Sequence, residues 1–272
     1  MIEKPFVLSG GGCRGFAHLG ALKALQERGI KPGKISGASA GAIAGAFLAN
    51  GFSPDEIKEM FVGKLNLSMI SWTGFKMGLV SIKNIKKFIE KNLRYNKFEE
   101  LPIPFYVATT NFINGKQQLF HNGNIIDPII ASSSIPVLFP PVIIDDIPYV
   151  DGGLSNNLPI EPFQDEKNEI ISISVNPTGP FKPEEGILEL LDKTIHLSIR
   201  GMVNQSSSGC FLFIEPENLV NYGLFDINKI NDIFEIGYSF TKTLLNNTEI
   251  SLIDKASFKI ERFTPRYDNL LG

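Results

Sequence analysis

The chain contains few residues of the types that bind metals or form cross-links: its 272 residues include only two cysteines and three histidines. Two cysteines cannot build a disulfide framework, and such low usage is typical of a reducing compartment. The histidines and carboxylates form no cluster with ligand spacing, so we predict neither a metal ion nor another cofactor. The net charge of −3 gives no basic surface for nucleic acid, and we expect no nucleic-acid partner.

The sequence also lacks a recognisable targeting segment. The first predicted strand begins by Pro5, which leaves no room for a signal peptide, and we expect a cytoplasmic protein. The uncharged run over residues 35–54 is long enough for a membrane helix and has glycines at GxxxG spacing. Its serines and its glycine-rich composition favour a soluble strand, turn and helix instead. No linker or charge block divides the chain, so we predict a single domain over residues 1–272.

The most informative segment is the pentapeptide Gly37-Ala38-Ser39-Ala40-Gly41, a G-x-S-x-G pattern. It lies between a predicted strand and a small-residue helix that ends at Asn50-Gly51. At such a turn the serine hydroxyl projects from the backbone, and the flanking glycines let neighbouring chain approach without a Cβ clash. Small residues also cluster wherever a helix packs closely on a sheet, so the pentapeptide alone leaves both interpretations open.

A second glycine-rich segment, Gly10-Gly11-Gly12-Cys13-Arg14-Gly15, lies between a predicted strand and a predicted helix. This arrangement directs backbone N–H groups at an anion. The G-x-G-x-x-G spacing also fits a dinucleotide site, but no carboxylate follows about twenty residues later, near the second strand. A Walker A loop is excluded because Arg14-Gly15-Phe16 replaces Gly-Lys-Ser/Thr. We therefore predict that the loop stabilises a transient oxyanion.

A carboxylate completes the set of candidate catalytic residues. Asp151-Gly152-Gly153 follows the apolar run over residues 147–150, which places Asp151 at the end of a predicted strand. An aspartate before glycines is most often only a turn residue, and this is the more frequent interpretation when the motif stands alone. The presence of all three segments in one chain favours catalysis.

In this order, the three segments resemble the patatin-like phospholipase family. The resemblance covers residues 5–160, and no motif over residues 161–272 could be matched. We expect the latter part to complete the sheet and its helices. The match extends to the proline-containing segment 133–141 and to Asn156, Asn157 and Pro159.

The resemblance implies a serine acyl hydrolase: a phospholipase A, a lysophospholipase or a lipid esterase. Ser39 would be the nucleophile and Asp151 its only partner, in a Ser–Asp dyad without histidine. The implied oxyanion hole consists of the N–H groups of Gly11 and Gly12, with Cys13, supported by Arg14. The remaining motif residues are Gly10, Gly15, Gly37, Gly41, Gly152 and Gly153. An aspartate with an ordinary pKa near 3.9 is a weak base for a serine hydroxyl. We expect a partly desolvated site to raise the pKa of Asp151, because burial disfavours the charged form.

The alternation of strand and helix patterns predicts an α/β fold with a mainly parallel central sheet and helices on both faces. The resemblance implies the patatin-like three-layer form of this fold. After two N-terminal strand–helix pairs, strands are predicted at 104–112, 116–121, 142–150, 169–175 and 211–215, and helices at 54–62, 82–93, 124–132, 187–205 and 227–246. The active site is expected at the carboxyl ends of the first strands.

Two other functional interpretations stay open. The chain order Ser39, Asp151, His196 is that of α/β-hydrolases with a catalytic triad, although His196 lies within a long helical pattern rather than on a loop. His18 is expected to pack near the glycine loop and His121 to lie beside a turn. The chain could instead be a catalytically silent lipid-binding or regulatory module, but a structural role alone does not require Ser39.

The resemblance implies substrates such as phospholipids, lysophospholipids or other acyl esters. The apolar segment 65–80 holds the only tryptophan and is either a loop packed on the core or a lid in peripheral contact with a membrane. Cys13, beside Arg14 at a predicted helix N-terminus, is either a small residue filling a turn or a thiol of lowered pKa. The sequence carries no signal for an oligomeric state.

Overall fold

The computed structural model of the chain describes residues 1–62, 64, 71–72, 80–179 and 186–247. Strands and helices alternate along most of this length, as predicted. The strands are β1 (Ile2–Leu8), β2 (Ile30–Ala38), β3 (Ser71–Trp72), β4 (Val80–Ser81), β5 (Phe105–Asn111), β6 (Gln117–Phe120), β7 (Val142–Ile144), β8 (Ile147–Asp151), β9 (Ile171–Ile173) and β10 (Leu212–Ile214). The helices are α1 (Phe16–Glu27), α2 (Ala40–Ala49), α3 (Pro54–Phe61), α4 (Lys83–Asn92), α5 (Ile126–Ser132), α6 (Gly186–Ser207) and α7 (Ile230–Asn247).

Eight of the strands form one sheet in the order β10-β9-β1-β2-β5-β8-β7, with β6 also paired to β5. The strands from β10 to β5 run parallel, as connections through helices require, whereas β6, β7 and β8 add antiparallel pairs. The strands β3 and β4 form a separate antiparallel pair. The predicted α/β fold with a mainly parallel central sheet is confirmed.

Side chains alternate between the two faces of the sheet, as the strand period requires. In β1, Phe6 and Leu8 lie in a large core with residues of α1, α2 and α7. Val7, between them, lies in a second core with Phe163 and Val203. Because Val203 belongs to α6, helices cover both faces and the chain has the predicted three layers.

Helix α7 packs closely on α1 through two glycines. A Cβ atom at Gly20 would lie 2.0 Å from the carbonyl oxygen of Phe234, and one at Gly237 would lie 2.1 Å from that of Ala17. Real Cβ atoms do not approach so closely, so both positions need glycine. Since α1 directly follows the glycine loop, this contact brings the C-terminal part of the described chain to the N-terminal motif.

The central strand β5 brings β2 and β8 end to end. The pairing of β2 with β5 runs as far as Ala38, opposite Ala108, and the pairing of β8 with β5 begins with Asp151, opposite Thr109. The pairing of β5 with β6 covers residues 107–110 of β5, so it overlaps the part of β5 that pairs with β2 and also the part that pairs with β8. One edge of a strand pairs with one neighbour at a time, so β6 takes one edge while β2 and β8 share the other. The end of β2 therefore meets the end of β8 beside β5.

The single strand predicted over residues 142–150 is wrong, because β7 and β8 form a hairpin there. Asp145 and Asp146 are its two turn residues, with φ angles of 49° and 63°. Positive φ at both central positions is typical of a type I′ turn, and aspartate tolerates it better than most residues. Apolar residues on both sides of the two aspartates concealed this turn in the sequence pattern.

The uncharged run over residues 35–54 divides into the end of β2, the turn at Ser39 and the ten-residue helix α2. Among the helices that the structure describes, none combines the length and the apolar character needed to cross a bilayer. Of the segment 65–80, which we considered as a lid, residues 71–72 and 80 are described. Their backbones contribute to the pairing of β3 with β4, and the rest of the segment lies outside the described residues.

Candidate active site

Ser39 occupies a sharp turn between β2 and α2. Its backbone has φ 51° and ψ −121°, which residues other than glycine rarely adopt. The turn is crowded: a Cβ atom at Gly41 would lie 2.3 Å from the carbonyl oxygen of Leu8, and one at Gly37 would lie 2.5 Å from that of Gly41. The flanking glycines therefore allow β1, β2 and α2 to meet here. Because α2 begins at Ala40, the positive end of its dipole lies next to Ser39.

Asp151 ends β8 at the edge of β5 that β2 also uses. It is 7% exposed; its Oδ1 accepts a hydrogen bond from the Gly153 amide at 2.8 Å, and its Oδ2 has no hydrogen-bond partner among the described residues. Burial raises the pKa of Asp151 to about 6, and the Ser39 hydroxyl and the Gly153 amide oppose this rise. The Ser39 hydroxyl is thus close enough to influence the carboxylate, without a hydrogen bond of ordinary geometry to Oδ2. Catalytic hydrogen bonds often tighten only when substrate binds.

The glycine loop after β1 packs directly against Ser39. A Cβ atom at Gly10 would lie 2.9 Å from the Cβ of Ser39 and 2.6 Å from Oδ1 of Asn157. That oxygen accepts a hydrogen bond from the Gly10 amide at 3.1 Å, and it lies 2.7 Å from where a Cβ of Gly153 would be. Asn157 therefore joins the glycine loop to the turn after Asp151, and the three segments singled out in the sequence lie together.

Two backbone donors of the loop have no acceptor among the residues that the structure describes. The amides of Gly11 and Gly12 donate to no group in the described part of the chain. By contrast, the Cys13 amide donates to the carbonyl oxygen of Leu224 at 2.9 Å, and the Arg14 amide donates to that of Gly11 at 3.1 Å. The Cys13 amide, one of the oxyanion donors that the resemblance implied, is already engaged. The candidate donors of this loop are therefore the Gly11 and Gly12 amides.

Two buried side chains, those of Arg14 and His18, contact the backbone of the glycine loop and of the residue before it. Arg14 is buried and donates from Nε to the carbonyl oxygen of Gly11 at 3.4 Å. His18 is fully buried, and its Nε2 lies 2.8 Å from the carbonyl oxygen of Ser9. Burial lowers the pKa of His18 to about 4, so the ring is neutral and its Nε2–H donates to that carbonyl. His18 thereby fixes the residue before Gly10.

The Cys13 thiol is not activated. Burial and the nearby Asp226 raise its pKa to about 12, and Arg14 lowers it by less. A thiol with this pKa is protonated at neutral pH and is a poor nucleophile. The lowered pKa that we considered from the sequence is wrong, because burial outweighs the effect of the neighbouring cation.

Of the other two histidines, the side chain of His121 is described and that of His196 is not. His121 stacks on Tyr106 with ring centroids 5.3 Å apart. His196 lies within α6, but its side chain lies outside the described residues, so the triad interpretation stays open. Across the described ranges, no group of three or more histidine, cysteine, aspartate or glutamate residues is arranged to hold a metal ion.

Comparison with known proteins identifies the family. A family model described as patatin-like phospholipase matches residues 6–163, more than half of the chain. The chain belongs to the patatin-like phospholipase family. The matched residues contain the glycine loop, the Ser39 turn and the Asp151 turn, which are the segments that carried the resemblance.

Curated relatives of this patatin-like chain are longer proteins. It is 26% identical over 280 residues to Lysophospholipase NTE1 of Kluyveromyces lactis, covering 89% of the chain and 19% of that protein. It is 32% identical over 185 residues to an uncharacterized NTE family protein of Mycobacterium tuberculosis, covering 66% of the chain and 31% of that protein. The chain thus spans less than a third of each of these relatives.

A solved structure shares the fold. VipD from Legionella pneumophila has a TM-score of 0.55 at 18% identity, with 90% of this chain and 67% of that chain covered. At this level of identity the likeness shows the patatin-like fold alone.

Residues outside the matched segment also shape the site of this patatin-like chain. Asn176, which follows β9, donates from Nδ2 to the carbonyl oxygen of Gly10 at 2.6 Å. Leu224 holds the Cys13 amide through its own carbonyl oxygen. Neither was predicted. A polar residue after a buried parallel strand could have indicated Asn176, whereas a backbone acceptor such as Leu224 leaves no signal in the sequence.

Proposed function

We propose that this chain is a serine acyl hydrolase that cleaves ester bonds in phospholipids, lysophospholipids or similar acyl lipids. The observation that carries the proposal is the meeting of three features: the strained turn of Ser39, the buried carboxylate of Asp151, and the Gly11 and Gly12 amides, which donate to no described residue. Membership of a phospholipase family and likeness to a lysophospholipase support a lipid ester as the substrate.

In the proposed reaction the Ser39 Oγ attacks the ester carbonyl carbon while the Asp151 Oδ2 accepts the hydroxyl proton. The N–H groups of Gly11 and Gly12 stabilise the oxyanion that forms. The bond to the leaving alcohol then breaks, the proton passes from Asp151 to that alcohol, and acyl-Ser39 is left. Water attacks the acyl carbon with Asp151 as the base, which releases the fatty acid and restores the Ser39 hydroxyl.

The environment of Asp151 suits this role. Its Oδ2 makes no competing hydrogen bond among the described residues, and its pKa of about 6 makes it a stronger base than an exposed aspartate. Even so, the carboxylate is a modest base. The oxyanion donors, each worth roughly 3 kcal/mol, therefore have to supply a large part of the lowering of the activation barrier. An ester, whose alcohol leaves more readily than an amine, is the matching substrate.

The direct test uses a serine-reactive fluorophosphonate and a short-chain nitrophenyl ester with the intact chain. We expect ester turnover, its loss on labelling, and a label that peptide mapping assigns to Ser39. Hydrolysis of phosphatidylcholine and lysophosphatidylcholine is then followed by release of fatty acid. Absence of both turnover and label would favour the silent lipid-binding module, and a label on another serine would exclude Ser39 as the nucleophile.

Activity should depend on the ionisation of Asp151. Because the base must be unprotonated, kcat/KM for the soluble ester should fall as the pH decreases through about 6, and be independent of pH just above it. Initial rates measured between about pH 4.5 and 8 check this, and a flat profile over that range would argue against Asp151 as the base. A histidine with an ordinary pKa near 6.5 would give a similar limb, so substitutions are needed to separate the dyad from the triad.

Hydrolysis should not depend on a metal ion. The proposed charge stabilisation comes from backbone N–H groups rather than a cation, so dialysis against EDTA should leave kcat for the nitrophenyl ester unchanged. The rates before chelation, after chelation and after addition of calcium are compared on the same preparation. Loss with EDTA and recovery with calcium would contradict the mechanism.

A further inference from the structure

A hydroxyl group from α5 bridges Ser39 and β5. Ser132, the last residue of α5, is fully buried, and its Oγ accepts a hydrogen bond from the Ser39 amide at 2.8 Å. The same hydroxyl donates to the carbonyl oxygen of Ala108 at 2.6 Å. Ser132 was not among the candidate site residues; it precedes the segment 133–141 that resembles the family pattern.

The next two residues, Ser133 and Ser134, lie against the backbone of Ser39 and of Asp151. The Ser133 hydroxyl donates to the Ile129 carbonyl oxygen at 3.0 Å, and it lies 3.4 Å from the carbonyl oxygen of Ser39. The carbonyl oxygen of Ser134 accepts a hydrogen bond from the Asp151 amide at 3.0 Å. The end of α5 thus contacts the backbone of both the candidate nucleophile and the candidate base.

The strand junction explains why a hydroxyl is needed here. Parallel pairing of β2 with β5 stops at Ala38, opposite Ala108, and the chain then turns away at the positive φ of Ser39. In the described sheet this register leaves no β2–β5 ladder bond for the Ser39 amide or the Ala108 carbonyl, and a buried backbone group without a partner is costly. A hydroxyl accepts from the first and donates to the second at the same time, which an aliphatic side chain cannot do.

We infer that Ser132 is a positioning residue for the proposed hydrolysis: its hydroxyl holds the Ser39 backbone in the strained turn that aims Oγ at substrate and at Asp151. Ser132 does not touch the reacting atoms and acts through Ser39. Its loss should therefore reduce the rate of acylation more than the binding of substrate, because misplacing a nucleophile by about 1 Å can cost on the order of 100-fold in rate.

The test compares Ser132→Ala, Ser132→Thr and Ser172→Ala with the parent protein. Ser132→Ala should lower kcat for the nitrophenyl ester about 100-fold, with KM changed by less than about threefold. Ser132→Thr keeps the hydroxyl and should recover most of that loss. Ser172 supplies the matched control, because it is a fully buried serine of β9 whose hydroxyl donates to the Leu212 carbonyl oxygen at 3.3 Å. We expect Ser172→Ala to keep kcat within about twofold.

Each rate is referred to folded protein, measured by thermal unfolding. If Ser132→Ala does not fold, Ser132→Cys is tested in its place. The thiol is similar in size to the hydroxyl but forms weaker hydrogen bonds, so kcat should fall at least about tenfold. The inference is overturned if a folded Ser132→Ala, or Ser132→Cys in its place, keeps kcat within about twofold, if threonine restores nothing, or if Ser172→Ala loses as much. Because the inference rests on the proposed function, fluorophosphonate labelling of the parent separates the two failures. If Ser39 of the parent is not labelled, the proposed hydrolase function is overturned. If the parent and Ser132→Ala are labelled at equal rates, only the positioning role of Ser132 is overturned.

Discussion

Replacing Ser39 by alanine should abolish ester hydrolysis and fluorophosphonate labelling while the fold is retained. The change removes one oxygen at a turn whose neighbours contact the backbone and Cβ of the residue, so packing is preserved. Under the proposed mechanism no other group can form the acyl intermediate, and turnover should fall by about three orders of magnitude or more. Initial rates on a soluble nitrophenyl ester, with circular dichroism as the test of folding, measure the effect.

Ser36→Ala provides the control for that experiment. Ser36 lies in β2 three residues before Ser39, is fully buried, and its hydroxyl has no hydrogen-bond partner in the described part of the chain. Its removal should change kcat by less than about twofold, since no bond is lost. If Ser39→Ala retains activity within about tenfold of the parent, roughly 1.4 kcal/mol of barrier, Ser39 is not the nucleophile.

Asp151→Asn should have two opposite effects: nearly complete loss of turnover and a gain in stability. Asparagine keeps the size of the side chain and the oxygen that accepts the Gly153 amide, but it cannot take the Ser39 proton. Its turnover should therefore approach that of Ser39→Ala. The stability of the variant should rise because a buried carboxylate with an unpartnered oxygen is replaced by a neutral group.

The pH dependence of that gain follows from the pKa of Asp151. Burial raises it from 3.8 to about 6, so the folded protein binds this proton more tightly than the unfolded chain. Stability of the parent therefore falls as the pH rises from about 4 to about 6 and stays reduced above that range. The asparagine variant avoids this loss, and we expect a gain of about 1–3 kcal/mol at pH 7.5 that shrinks at pH 5. Urea unfolding at both pH values measures it, and a variant less stable than the parent at pH 7.5 would contradict the assigned burial cost.

The same experiment separates the dyad from the triad when His196→Ala is included. Under the dyad, Asp151 is the base and His196→Ala should leave turnover per folded molecule unchanged. Under the triad, the histidine is the base, and its loss should cost several orders of magnitude. A folded His196→Ala protein with turnover reduced about a thousandfold would replace the Ser–Asp mechanism by the triad.

Much of this site could be predicted from sequence because its chemistry depends on backbone conformation, which small residues reveal. Glycines around Ser39 and along the loop from Gly10 to Gly15 indicated two strand-to-helix turns, and the structure brings both together with Asp151. The fold followed from the alternation of patterns, since long amphipathic helices such as α7 and apolar strands such as β5 carry clear periodicity.

The parts that escaped prediction depend on contacts made through the backbone or on local turns. The engaged amide of Cys13 reflects a carbonyl oxygen of Leu224, and any residue there would offer the same acceptor. Asp145 and Asp146 form a hairpin turn through their positive φ angles, and the apolar residues on both sides of them concealed this turn. The bond from Ser39 to Ser132 joins two common polar residues far apart in the chain, and no local pattern marks such a pair.

The shared edge of β5 also governs when the site can come into existence during folding. Ser39 and Asp151 belong to segments that are distant in sequence, and each reaches the other only by pairing with the same middle strand. Closing such long loops is entropically unfavourable, so we expect these contacts to form later in folding than the local helices. A partly folded chain in which β8 has not yet paired with β5 therefore has Ser39 without Asp151 beside it. Under the proposed mechanism, hydrolytic competence is therefore a property of the fully paired sheet, because Ser39 and Asp151 meet only when both β2 and β8 have paired with β5.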